Sequence, residues 1–89
     1  MSQEKIAIES LAMDLKRVSL GLQRDSMKMA QRFKQEALAR EEELKTYSLP
    51  LYMQKLLEDS KKSLADDEAE DILMYSTLFQ NFAQKHYAE

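Results

Sequence analysis

The chain contains no cysteine and no tryptophan, and only one glycine, one proline and one histidine in 89 residues. Without cysteine there is neither a disulfide nor a thiol nucleophile, and a lone His86 excludes a zinc site of the Cys/His kind. One glycine and one proline leave almost no vocabulary for hairpin turns, whereas Leu, Ala, Glu, Lys, Gln and Met are the residues that helices favour. The composition therefore predicts an all-α fold. Long apolar runs are also missing. The longest local stretch, Ile72-Leu73-Met74-Tyr75, has four residues, far short of the roughly 20 that a membrane span needs. The first residues, Met-Ser-Gln-Glu-Lys, have no basic start and apolar centre of a signal peptide. These features point to a cytoplasmic protein, with no membrane association.

What is present is charge and apolar periodicity. Charged residues make up 33% of the chain and apolar residues 44%, with a net charge of -3. That balance favours a folded domain over wholesale disorder. A core of this size stabilises a fold only modestly, so assembly with another chain is the common supplement once disulfides and metals are excluded.

The periodicity divides the chain, a single domain over 1–89, into three expected helices. Nothing but Gly21 interrupts a first helix over about 2–46, and one interior glycine costs only about 1 kcal/mol relative to alanine. Pro50 disfavours helical geometry at Leu49 and suits the first turn of a second helix, about 50–62. Ser63 and the acids at 66–68 suit a restart, giving a third helix over about 67–87 with the seam Ile72, Tyr75, Phe79, Phe82 and His86. A break at Gly21, giving a four-helix monomer, is the less favoured alternative, because no Pro or run of Ser, Asn or Asp accompanies it.

The first helix carries two apolar rows on nearly opposite faces: Ile8, Leu11, Leu15, Val18 and Leu22 form one, and Ile6, Met13, Leu20 and Met27 the other. As one helix it spans about 67 Å at 1.5 Å per residue, against a radius of gyration of about 12 Å for a compact domain of this length. Its N-terminal half then overhangs the two shorter helices. The expected architecture is an antiparallel, coiled-coil-like arrangement of three helices completed by dimerisation into a bundle. Those nine residues are the candidate dimer or partner interface. Methionine adapts to irregular surfaces, so the Met-containing row also suits a protein partner.

Charge is unevenly spread. Residues 1–35 hold seven Lys/Arg against four acids, and residues 66–89 hold one Lys against six. Arg17, Arg24, Lys28 and Arg32 form a stripe that offers an alternative reading, contact with a nucleic-acid backbone. The chain is acidic overall and has no aromatics among those residues for base stacking, which favours a solvated helix face. Asp66, Asp67, Glu68, Glu70 and Asp71 lack the glycine and spacing of a calcium loop, so helix capping explains them better. His86 has no nucleophile or acid partner in a recognisable motif. The sequence thus points to no catalytic residue, cofactor or metal, and to a non-enzymatic protein–protein interaction module, an adaptor, regulator or assembly factor acting as a homodimer.

Overall fold

The computed structural model describes residues 2–87; Met1, Ala88 and Glu89, the outermost positions of the domain expected over 1–89, lie outside the described residues. Among the described residues there are four helices and no strands: α1 (Gln3–Gln23), α2 (Met27–Leu44), α3 (Leu51–Ala65) and α4 (Ala69–His86). The all-α class is as expected, but the long first helix is two helices. It runs through Gly21 and ends two residues later, at Gln23, before the turn Arg24-Asp25-Ser26.

Asp25 makes that turn. It adopts a left-handed conformation with φ 55°, which a short polar side chain tolerates better than most. The Ser26 amide donates to the Gly21 carbonyl at 2.8 Å and the Asp25 amide to the Leu22 carbonyl at 3.2 Å, the paired bonds of a Schellman stop. The α3–α4 turn repeats this geometry. Asp67 has φ 52°, with Glu68 N–H on Ser63 O at 3.1 Å and Asp67 N–H on Leu64 O at 3.3 Å.

Gly21 serves the break differently from a hinge. A Cβ at this position would lie 2.8 Å from the backbone nitrogen of Ala30. The missing side chain lets α2 return close against the helix it has just left.

The helices run up and down in sequence around a common core. α1 is flanked closely by α2 and α4, while α3 stands diagonally across from it and farther from its neighbours. Side-chain size explains the asymmetry. The buried residues include the small Ala7, Ala12, Ser19 and Gly21 on α1, Ala30 and Ala37 on α2, and Ser76 and Ala83 on α4. The wider space before α3 is filled by Leu44, Met53, Leu57, Leu64, Ile72 and Phe79. Two hydroxyls tie α4 to α1 in antiparallel register: Ser19 Oγ donates to Ala69 O at 2.8 Å and Ser76 Oγ to Ala12 O at 2.6 Å. The result measures 38 × 22 × 19 Å, with a radius of gyration of 12.3 Å. No helix overhangs.

Candidate interaction surface

The break at residues 24–26 reassigns the first apolar row. Ile8, Leu11, Leu15 and Val18 are wholly buried within the chain, and Leu22 is half-buried against the same core. The cover expected from another chain comes from α2 and α4. The second row keeps its outward aspect. Ile6 and Met13 are exposed on α1, Leu20 is half-buried, and Met27 is exposed on the first turn of α2, no longer on the same helix.

Ile6 and Met13 border a groove of about 410 Å³ between α1 and α2 that also holds Asp14, Arg17, Glu36 and Arg40. Burial raises the Asp14 pKa above the usual carboxylate value, and Glu36 pushes in the same direction; Arg40 and Arg17 oppose it. Arg17 reaches Asp14 at 3.9 Å.

The basic stripe is only partly a stripe. Arg17 from α1 and Arg32 from α2 converge on one ring, with their guanidinium carbons 5.1 and 5.4 Å from the Phe33 centroid. Each gains a cation–π contact. Arg24 in the turn and Lys28 on α2 are exposed. The acidic α3–α4 turn lies beside this basic hairpin, since Lys34 Nζ pairs with Asp67 Oδ1 at 3.2 Å. Within that turn Asp71 and then burial raise the Glu68 pKa, with Asp66 adding to the effect. One pair of the complementary charges of the two halves thus meets within the chain itself.

Two polar contacts hold the remaining seams. Tyr87 Oη donates to Glu4 Oε2 at 2.6 Å, and burial followed by this bond keeps the phenol protonated well above its usual range. Around it Phe82 stacks on His86 at a centroid distance of 4.7 Å, and Tyr52 meets Phe82 edge-on at 5.8 Å. His86 is therefore part of an aromatic cluster. Between α2 and α3, Glu41 is 2% exposed and receives a 2.6 Å bond from Ser60 Oγ on Oε2, while its Oε1 is buried with no hydrogen-bond partner among the described residues. Burial raises its pKa to about 7 against the opposing pull of Ser60 and Lys61.

The surface that sequence reasoning passed over is the outside of α4. From Ile72 to Gln84 this helix contains no charged residue, in a chain where one residue in three is charged. Its inward positions Ile72, Ser76, Phe79 and Ala83 are buried, which leaves Leu73, Met74 and Leu78 at the surface, 37%, 47% and 39% exposed. The signal was legible as a gap in the charge pattern. The seam Ile72, Tyr75, Phe79, Phe82 accounts for one side of the helix only.

Among the described residues no group of three or more His, Cys, Asp or Glu is placed to hold a metal ion. No helix there is long and apolar enough to cross a membrane. No protein-family model matches the chain, and neither a curated protein nor a solved structure does.

Proposed function

We propose that this chain is a non-enzymatic helical interaction module, an adaptor, regulator or assembly factor, that docks a partner helix on the outer face of α4. The observation that carries this reading is the uncharged surface of that helix, where Leu73, Met74 and Leu78 stand exposed among Thr77, Gln80, Asn81 and Gln84. Exposed apolar side chains are ordinary when scattered. Gathered on the stretch of α4 from Ile72 to Gln84, from which charge is missing, they resemble the core of a protein interface, which is depleted in charge and tolerant of methionine.

A photo-crosslinking residue at Thr77, compared with one at Gln35 on α2, tests the reading in the native cell. A discrete protein adduct formed from position 77 and absent from position 35 is expected. Equal labelling from both positions, or none from 77 in well-expressed folded protein, counts against α4 as the docking face.

A second reading, nucleic-acid association, has one observation in its favour: Arg17 and Arg32 from two helices meet over Phe33, with Arg24 and Lys28 exposed on the same hairpin. The neighbouring acidic turn weakens the field a phosphate backbone would meet. It predicts binding to DNA or RNA at low salt that falls steeply as salt is added. Failure to retard either at low salt removes it.

A further inference from the structure

The exposed stripe along α4 reads Glu70, Met74, Thr77, Leu78, Asn81 and Lys85, all on the outside of the bundle. The spacing places them on one helical face. It is also symmetric about the peptide between Thr77 and Leu78. Three residues outward lie Met74 on one side and Asn81 on the other; four further outward lie Glu70 and Lys85.

From this symmetry, and resting on the α4 docking surface proposed above, we infer that the partner is a second copy of this chain, with α4 packed antiparallel on α4 about a two-fold axis at Thr77–Leu78. A two-fold interface brings each surface against itself. Antiparallel pairing then sets Glu70 against Lys85 of the second copy at both ends, about 22 Å apart along the helix at 1.5 Å per residue. Met74 packs beside Asn81 of the second copy, and Leu78 beside Thr77. Parallel pairing would instead oppose Glu70 to Glu70 and Lys85 to Lys85. The uncharged centre matters for the same reason, since any single charge near the axis meets its own image.

Residues flanking α4 widen the contact. On one side Met13 and Leu20 of α1, together with the charged Glu9, Lys16 and Arg17, border a groove of about 350 Å³ with Ser76 and Gln80. On the other, Leu51 and Tyr52 at the start of α3 are the most exposed apolar side chains of that helix. A pair of five-turn helices with these flanks lies at the small end of specific interfaces. Reversible association that depends on concentration is expected.

Sedimentation equilibrium from micromolar to near-millimolar chain, at low and moderate salt, reads the pairing. The wild type is expected to approach twice the monomer mass. Leu78→Glu, which places two carboxylates at the axis, is expected to remain monomeric with unchanged helical circular dichroism, and Met74→Lys serves as a second folded variant. Lys85→Glu is expected to weaken the dimer roughly five- to tenfold by turning both end pairs repulsive. Glu70→Lys combined with Lys85→Glu is expected to restore it. A wild type that stays monomeric throughout overturns self-pairing alone, because another helix can still occupy the face. A dimer that ignores Leu78→Glu and Met74→Lys overturns self-pairing through α4, and the crosslink at position 77 decides separately whether another helix docks there. A dimer weakened by Lys85→Glu but not recovered by the charge swap overturns the antiparallel register.

Discussion

Ser60 Oγ donates to Glu41 Oε2 at 2.6 Å inside the seam between α2 and α3, and the other carboxylate oxygen has no partner among the described residues. The pair joins the one helix that stands off from α1 to the rest of the bundle. A carboxyl so placed is easier to keep as an acid than as an anion, which gives the seam a dependence on pH.

Glu41 sets a direction for that dependence. Its folded pKa is raised from 4.5 to about 7, so the folded chain holds the proton more tightly than the unfolded chain does. Stability is fullest below the unfolded pKa, falls as pH rises from about 4.5 to 7, and then levels off. The shift corresponds to at most roughly 3 kcal/mol. Chemical denaturation between pH 4 and 8 should show this decline in the wild type, and Glu41→Gln should flatten it. A decline that survives in Glu41→Gln assigns it to another group.

Gly21→Ala should destabilise the protein. Alanine is the better helix former by about 1 kcal/mol, but here its methyl would meet the Ala30 backbone, with the nitrogen at 2.8 Å. Separating two close-packed helices costs about 1–3 kcal/mol on the scale of overpacked cores. A lowered midpoint in urea is expected; a raised one would show that α2 gives way easily.

Substitutions on the two apolar rows of α1 should part company. Leu15→Glu buries a carboxylate among wholly buried side chains and is expected to cost about 4 kcal/mol or more, enough to unfold a domain of this size. Met13→Glu, at a position 53% exposed, should cost within about 0.5 kcal/mol. Circular dichroism and thermal melting separate the two outcomes. Survival of folded, merely dissociated Leu15→Glu would restore that row as a contact between chains.

Tyr87→Phe removes the bond to Glu4 with little change in shape. A loss of about 1 kcal/mol is expected. Amide exchange should quicken in the first turn of α1 and the last turn of α4 and stay unchanged around Gly21. Uniform quickening would mean that the bond supports the whole bundle rather than its end.

Much of the fold is legible in the sequence because its signals are local. Pro50 marks the α2–α3 break, and the acids at 66–68 mark the next, within a few residues of the turns observed. The break at Arg24–Ser26 is not legible in the same way. Asp25 is a single polar residue between Leu22, the last of the first apolar row, and Met29 in the same spacing, which a continuous helix tolerates equally well; only the left-handed backbone and the return of α2 over Gly21 distinguish the two. Once that turn exists, the row from Ile8 to Val18 needs no other chain. The outer face of α4 was readable as an absence of charge, but a helix has two sides, and which one remains outside depends on where α1 and α3 lie.

The Tyr87–Glu4 bond places the outer ends of α1 and α4 side by side, at the opposite end of the bundle from both aspartate turns. The four helices thus form a nearly closed circuit in which the order of connection is arbitrary. A short linker from the end of α4 to the start of α1, with the chain opened in the 45–50 loop, would give a circular permutant in which α3, α4, α1 and α2 follow one another through the same packing. The two aspartate turns would remain intact, with α4 and α1 now joined as a hairpin.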